Sequence, residues 1–287
     1  MESSRALALG ITSLPAWAVA RVEAALGHAV EWRADERVPE APAELADVTT
    51  LLVSLAVRVD ARVIDALPRL RHIAVYGTST SRIDTAAALR AGILVTNVQR
   101  YCDEETAEFA LALLLSGVRG LLGDLSVEPT SFAGLTLGVI GLGQVGAIVA
   151  ELAPRMGATV ERVGRPGDGR GGRLDQLSRC QLLSLHGPRG VEIVGRAEFE
   201  VLPKGVGIVN TCNGPAMERG ALERWLARDR GWLALDRVAA RTYGDLARRH
   251  PRRVFASERA AFETPQATSR RASVFAATIE EVASRRR

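Results

Sequence analysis

The sequence predicts an α/β protein in which helices cover the faces of parallel β-sheets. Two observations support this prediction. Short apolar runs alternate with amphipathic segments along the chain, which is the pattern of repeated strand–helix–strand units. One apolar run, at residues 137–140, leads directly into a glycine-rich stretch, and an alanine-rich amphipathic segment follows it at once.

The glycine-rich stretch has the context of a dinucleotide-binding turn. Its first glycine would permit a tight turn, its second would let backbone amides approach a pyrophosphate, and its third would let helix and strand pack closely. The phosphates would lie at the positive end of the helix that starts here. A structural turn that binds nothing is the alternative, but the strand before and the helix after favour a cofactor site. The predicted cofactor-binding residues of this stretch are Gly141, Leu142, Gly143, Gln144, Val145 and Gly146.

The residues before this turn predict a flavodoxin-like unit. Strands are expected at 6–11, 28–32, 48–54, 70–76 and 92–96, with helices at 15–26, 60–67 and from an Asp84 N-cap to 89. Small and hydroxyl-bearing residues follow the fourth strand, at the edge where open α/β sheets bind ligands. The candidate substrate-binding residues at this edge are Tyr76, Gly77, Thr78, Ser79 and Thr80.

The remaining elements continue the same alternation. A long helix is expected at 104–118, and a loop at 120–135 leads to the glycine-rich turn. The later strands are predicted at 159–163, 181–186, 207–210, 232–236 and 254–257, and the later helices at 198–202, 216–228, 242–248 and 265–285. The stretch GDGRGGR at 167–173 is predicted to be flexible because glycine dominates it.

Composition narrows the class of protein. The 287 residues suit two domains of ordinary size, and the formal charge of +4 comes almost entirely from arginine, because Lys204 is the only lysine. These arginines are scattered and mixed with acidic residues, so we expect no nucleic-acid partner. No apolar run is long enough to span a bilayer, so we expect no membrane partner.

The cysteines indicate a reducing compartment. Cys102, Cys180 and Cys212 are far apart and lack metal-ligand spacing, which is typical of reduced thiols in a cytoplasmic protein and predicts no metal site. The run Ala-Val-Ala at 18–20 is superficially like a signal-peptidase site. Glu2 and Pro15 argue against a signal peptide, because one weakens the basic start and the other interrupts the apolar core.

Several short motifs occur in an order that is typical of one family. They are Tyr76-Gly77 with Ile83-Asp84, Val95-Thr96-Asn97-Val98, Glu105-Thr106-Ala107-Glu108, the glycine-rich turn, Leu183-Ser184-Leu185-His186, Leu202-Pro203-Lys204-Gly205, Val209-Asn210-Thr211 and Ala234-Leu235-Asp236. From about residue 70 to its end, the chain resembles the D-isomer-specific 2-hydroxyacid dehydrogenases. The resemblance implies a Rossmann nucleotide-binding domain at 98–262, inserted in a flavodoxin-like substrate domain made of 1–97 and 263–287. It also implies an active site in the cleft between them and a homodimer formed through the nucleotide domain.

The chemistry that the resemblance implies is hydride transfer between a nicotinamide and C2 of a 2-keto or 2-hydroxy acid. That reaction needs an anchor for the substrate carboxylate, a cation that polarises the carbonyl and a proton donor. The resemblance places the anchor on backbone amides of residues 77–81. It adds Thr106, His186 and Asp236 to the expected cofactor-binding residues, and a catalytic role for His186 is the less favoured alternative.

The three catalytic positions depart from the family pattern. Asn213 stands where the family has its arginine, Arg241 where it has its glutamate, and Arg259 where it has its histidine; a shift of one residue in register would place Glu258 near the histidine position. Arg241 and Arg259 either contact the substrate or form ordinary surface ion pairs in an active site that has drifted. An arginine stays protonated at neutral pH and cannot shuttle a proton. We therefore expect an NADP-dependent or NAD-dependent oxidoreductase with an altered active site for an unusual small anionic substrate, in a specialised biosynthetic step. A tyrosine or a water would supply any proton. The alternative is a catalytically silent or redox-neutral protein that keeps the fold for ligand or partner binding.

The residues at the end of the second strand of the nucleotide domain decide between NAD and NADP. An acidic residue there holds the ribose of NAD, whereas this chain has Gly164 followed by Arg165. Glu161 is expected to point to the opposite face of the strand. The missing carboxylate and the adjacent arginine favour NADP over NAD, because a 2′-phosphate pairs with a guanidinium.

Overall fold

A computed structural model describes residues 5–39, 45–164 and 173–285, and it confirms the predicted α/β architecture. In chain order the elements are β1 (Arg5–Leu9), α1 (Ala16–Leu26), β2 (Val30–Arg33), β3 (Val48–Val53), α2 (Ala61–Asp65), β4 (His72–Val75), α3 (Thr85–Arg90), β5 (Leu94–Asn97), α4 (Asp103–Val118), β6 (Thr136–Ile140), α5 (Gln144–Arg155), β7 (Thr159–Val163), α6 (Arg173–Ser178), β8 (Leu182–Leu185), α7 (Arg196–Val201), β9 (Val206–Asn210), α8 (Arg219–Ala227), β10 (Gly231–Leu235), α9 (Arg237–Arg249), β11 (Val254–Ala256) and α10 (Pro265–Ser284). The chain separates into two compact units, Met1–Tyr101 with Thr264–Arg287 (unit 1) and Cys102–Glu263 (unit 2).

Unit 1 contains a five-stranded sheet in the order β2-β1-β3-β4-β5, with every neighbouring pair parallel. This is the flavodoxin-like strand order, in which ligands bind beyond the carboxyl ends of the strands. The last helix, α10, packs against α1. The Arg21 guanidinium joins these helices through Glu280, with an Nε–Oε1 distance of 2.8 Å.

Unit 2 contains a six-stranded parallel sheet in the order β11-β10-β9-β8-β6-β7. The chain moves outward from β6 in one direction to β7 and then returns to β8 on the other side. The point of reversal is therefore between β6 and β8, and it leaves a crevice at their carboxyl ends. Buried apolar side chains cover both faces of the sheet, with α4 and α5 on one face and α7, α8 and α9 on the other.

Three helices depart most from what the sequence predicts. The helix predicted at 242–248 begins at Arg237 instead, because the Asp236 carboxylate accepts a hydrogen bond from Ala239 N at 2.8 Å and caps it. The helix predicted to begin at residue 216 begins at Arg219, because Met217 forms a β-bridge with Val194. Helix α6 was not predicted, since it begins at Arg173, the last residue of the glycine-dominated segment 167–173; residues 167–172 of that segment lie outside the described residues.

Within the described ranges, no helix combines the length and the apolar character that crossing a bilayer requires. The same part of the chain contains no group of three His, Cys, Asp or Glu side chains that could hold a metal ion.

Candidate nucleotide and substrate sites

Two glycines of the turn after β6 occupy places that a side chain could not. Gly141 has φ +91°, and a Cβ there would lie 2.3 Å from the carbonyl oxygen of His186. A Cβ on Gly146 would lie 2.0 Å from the carbonyl oxygen of Gly141. Both obstacles are backbone atoms, which cannot rotate away, so close packing of β6, α5 and the end of β8 requires glycine at both positions.

The middle glycine of the turn faces open space. A Cβ on Gly143 would meet no atom within 4 Å, and Gly143 is the N-cap of α5 with no side chain capping the helix. The amides of the first turn of a helix have no partner inside that helix, and they lie at its positive end. Open space, unpaired amides and a positive helix end together fit the pyrophosphate of a dinucleotide. Leu142 and Gln144 on either side are exposed, and Val145 is half-buried.

The end of β8 supplies a neutral histidine. His186 Nε2 lies 2.8 Å from the buried Ser184 hydroxyl, and burial lowers the pKa of His186 to about 4. The imidazole is therefore neutral at pH 7, where it can form hydrogen bonds but adds no positive charge. Beside it, the buried Cys212 thiol donates to Leu185 O at 3.2 Å, and burial raises its pKa to about 12. A thiol that stays protonated is a packing group and not a nucleophile.

Two further residues from the expected cofactor set have backbone partners. The Thr106 hydroxyl, in the first turn of α4, donates to Cys102 O at 2.7 Å. The buried Asp236 carboxylate accepts from Ala239 N at 2.8 Å and from Ala261 N at 3.0 Å. Burial raises the pKa of Asp236, and these amide hydrogen bonds oppose the rise. Asp236 thereby ties the start of α9 to the segment that follows β11.

Two of the three candidate catalytic residues lie at the carboxyl edge of the sheet of unit 2, and the third lies in a helix. Asn213 is exposed beyond β9, and Arg259 is exposed beyond β11, where its carbonyl accepts from Arg237 N at 2.9 Å. Because β9, β10 and β11 are parallel neighbours, Asn213 and Arg259 share the carboxyl edge of the sheet. Arg241 lies in the second turn of α9 and is exposed, so the early start of α9 takes it into a helix.

The end of β7 is held by an arginine that the sequence did not indicate. The Arg173 guanidinium donates to the carbonyl oxygens of Gly164 and Ile193, and its Nε lies 3.1 Å from Glu198 Oε1. The Arg173 and Glu198 side chains are 12% and 13% exposed, so this ion pair is largely shielded from water. The residues just before Arg173 in the sequence are mostly glycine and do not predict these contacts.

The other residues near the end of β7 bear on cofactor choice. The Glu161 carboxylate accepts from Gln176 Nε2 at 3.3 Å and lies 3.5 Å from Arg179 Nη2. It is therefore engaged by side chains at and after α6. Arg165 lies outside the described residues.

In unit 1, the loop after β4 is held mainly through its carbonyl groups. The carbonyl of Gly77 accepts from Val98 N at 3.0 Å, that of Thr78 accepts from the Asn97 side chain, and that of Thr80 accepts from Ile83 N at 2.9 Å. Within the described part of the chain, the amides of Thr78, Ser79 and Thr80 donate no recorded hydrogen bond. Three successive free amides at the carboxyl edge of a sheet form a suitable anchor for an anion.

Comparisons with known proteins agree with this fold. The family model described as D-isomer specific 2-hydroxyacid dehydrogenase, catalytic domain, matches residues 14–287, and the chain belongs to this family. It is 33% identical to the D-3-phosphoglycerate dehydrogenase of Mycobacterium tuberculosis over 224 residues, which are 69% of this chain but 42% of that protein. The chain thus spans less than half the length of this relative.

Solved structures share the fold across nearly the whole chain. D-lactate dehydrogenase from Aquifex aeolicus, complexed with NAD and lactic acid, matches with a TM-score of 0.75 and 21% identity, covering 97% of this chain and 94% of that one. An acyclic imino acid reductase in complex with NADPH and D-Arg matches with a TM-score of 0.80 and 21% identity, covering 99% and 98%. At this identity the likeness establishes the shared fold.

Proposed function

We propose that this chain is an NAD(P)-dependent oxidoreductase that acts on a small anionic substrate. The observation that carries the proposal is the turn after β6, where Gly143 faces open space at the start of α5 while Gly141 and Gly146 pack against backbone. When a dinucleotide is bound with its pyrophosphate at this turn, its nicotinamide would donate or accept the hydride. The balanced reaction for a keto acid is 2-keto acid + NAD(P)H + H⁺ giving 2-hydroxy acid + NAD(P)⁺.

The two units would divide this work. Unit 1 serves as the substrate domain and holds the substrate carboxylate on the free amides of Thr78, Ser79 and Thr80. Unit 2 serves as the nucleotide domain, where Asn213 orients the reacting group by hydrogen bonding and Arg259 adds positive charge. Arg241 strengthens that charge from α9. No histidine occupies the position of the family's proton donor, so a tyrosine or a water supplies the proton.

Turnover tests this proposal directly. Purified protein with NADPH or NADH is offered a panel of 2-keto acids, imino acids formed from keto acids and amines, and enoates, and oxidation of the cofactor is followed by absorbance. Imino acids enter the panel because an imino acid reductase shares this fold. On the substrate that reacts fastest, we expect Asn213→Ala and Arg259→Ala each to lower kcat/KM about tenfold or more, since each removes a group that orients the substrate. Arg248→Ala, at an exposed position near the end of α9, is the control.

Two results would count against the proposal. Unchanged turnover in both variants would remove Asn213 and Arg259 from the site. Absence of hydride transfer to every member of the panel would favour a redox-neutral protein that keeps the fold for binding.

We further propose that the cofactor is NADP. Gly164 directly follows β7, where a ribose-binding carboxylate would stand, and Glu161 is already engaged by Gln176 and Arg179. Arg165 would pair with the 2′-phosphate. Arg165→Ala is then expected to weaken NADPH binding about tenfold or more and NADH binding less than twofold, as measured by calorimetric titration. An equal loss for both cofactors would exclude the 2′-phosphate contact.

We also propose a cytoplasmic homodimer formed through unit 2. The described cysteines are all free thiols, as in reducing compartments, and the dimer is an expectation from the family resemblance.

A further inference from the structure

An arginine in unit 1 lies among aromatic rings at the carboxyl edge of the sheet. Arg271, in the second turn of α10, places its Cζ 4.2 Å from the centroid of the Tyr76 ring and 5.6 Å from that of Tyr101. Tyr76 directly precedes the loop with the free amides, and Tyr101 follows β5. The Arg271 Nη2 also lies 3.5 Å from the Ser13 hydroxyl, in the connection between β1 and α1. The segments that leave β1, β4 and β5 therefore meet around one guanidinium.

Unlike the guanidinium groups of Arg5 and Arg21 in the same unit, this half-buried guanidinium has no acidic partner among the described residues. Arg5 pairs with Glu31 and Asp47, and Arg21 pairs with Glu280. Among the residues that the structure describes, no carboxylate lies within ion-pair distance of Arg271. A half-buried guanidinium without an acidic partner is unusual, because a shielded charge without a partner lowers stability. The tyrosine faces attract the cation but offer its N–H groups no ordinary acceptor, so among the described residues the guanidinium has the Ser13 hydroxyl, at 3.5 Å, as its one acceptor.

Two polar atoms of the same cluster are buried without a hydrogen-bond partner, Arg271 Nε and Tyr76 Oη. Tyr76 is only 4% exposed, and Phe275 meets its ring edge-on at a centroid distance of 5.1 Å. The Tyr76 and Tyr101 rings and α10 thus hold the guanidinium plane in place, while most of its hydrogen-bonding capacity stays unused. A cation held in one orientation, at the edge of the sheet where ligands bind, is prepared for an anion that comes from outside the chain.

We propose that Arg271 binds a second anionic group of the substrate, so that the substrate is a small acid with two negative charges. One carboxylate lies on the amides of Thr78, Ser79 and Thr80, and the other group forms a forked pair with Arg271. This inference rests on the proposed function for the location of the substrate, but it names a substrate class that the proposed function leaves open. A second carboxylate and a phosphate share the chemistry that the guanidinium recognises.

Calorimetric titration of the full chain tests this inference without any need for hydride transfer. The probes are acetate, malonate and 2-phosphoglycolate, each titrated in the absence and in the presence of NADPH. We expect malonate or 2-phosphoglycolate to bind at least about tenfold more tightly than acetate, because only they engage both anchors. The stronger of the two identifies the second group as carboxylate or phosphate.

Variants separate the two anchors. Arg271→Leu is expected to weaken binding of the stronger dianion about tenfold or more and to change acetate binding less than twofold. Arg271→Lys keeps the charge but loses the fork and the stacked plane, so an intermediate loss is expected, and it serves if the leucine variant does not fold. Arg90→Leu, at the exposed last turn of α3, is the matched control and should bind like the wild type.

The outcomes separate this inference from the proposed function. The inference would be overturned if Arg271→Leu lost acetate binding and dianion binding equally, or lost neither. It would also be overturned if the wild type showed no preference for dianions. If a monocarboxylic keto acid still oxidises NADPH in that case, the proposed function stands alone. If dianion binding depends on Arg271 but no keto acid, imine or enoate accepts hydride, the inference stands and the proposed function fails.

Discussion

Replacing Gly146 by alanine is expected to lower the free energy of unfolding by about 2–4 kcal/mol. The new Cβ would lie 2.0 Å from the Gly141 carbonyl oxygen, and that oxygen belongs to a turn whose φ of +91° is itself fixed by close contact with the end of β8. The clash can be relieved only if α5 moves away from β6. Denaturation by urea, followed by circular dichroism, measures the change.

Gly143→Ala is the matched variant in the same turn. Its Cβ would meet nothing within 4 Å, and Gly143 does not have a positive φ, so stability should change by less than about 1 kcal/mol. The same Cβ would occupy the space in front of the amides of α5, so NAD(P)H affinity should fall about tenfold or more. Equal stability of the two variants, or normal cofactor binding by Gly143→Ala, would contradict the division of roles between the glycines.

Tyr243→Phe is expected to lower the free energy of unfolding by about 3–5 kcal/mol. The buried Tyr243 hydroxyl accepts from Ala216 N at 2.9 Å and from Met217 N at 2.8 Å, and it donates to Met217 O at 2.8 Å. Phenylalanine would leave two buried amides without an acceptor and would weaken the hold of α9 on the segment between β9 and α8. Thermal and urea denaturation measure the loss.

Tyr76→Phe provides the control for Tyr243→Phe. The Tyr76 hydroxyl is also buried, but it has no hydrogen-bond partner, so its removal should change stability by less than about 0.5 kcal/mol or raise it. A similar loss in both variants would mean that the three hydrogen bonds of the Tyr243 hydroxyl do not account for the loss.

Features specified by short stretches of sequence were predictable. The turn after β6 was recognised because strand, glycines and helix are consecutive in the chain. The Asp84 N-cap of α3 is confirmed by a hydrogen bond from Ala87 N at 2.8 Å, which spans three residues. The alternation of apolar runs with amphipathic segments predicted both parallel sheets, because buried parallel strands are apolar on both faces.

Features that depend on contacts between distant residues were not predictable. Arg173 reaches Glu198 across 25 residues, and the Tyr243 hydroxyl reaches Ala216 across 27. The bridge between Val194 and Met217 moves the start of α8, and no local pattern in either segment reports it. Arg271 occurs in an alanine-rich helix, directly after Arg270, and only the fold places it against Tyr76 and Tyr101.

A calorimetric titration of NADPH and of NADH into the purified full chain is the most direct test of the central claim, which is that the turn after β6 holds a nicotinamide dinucleotide. The account predicts that one molecule binds per chain, that NADPH binds more tightly than NADH, and that Gly143→Ala weakens both. Tighter binding of NADH would remove the NADP proposal and leave the site intact. Failure of the wild type to bind either cofactor would contradict the account, because the open turn at the start of α5 would then serve only the fold.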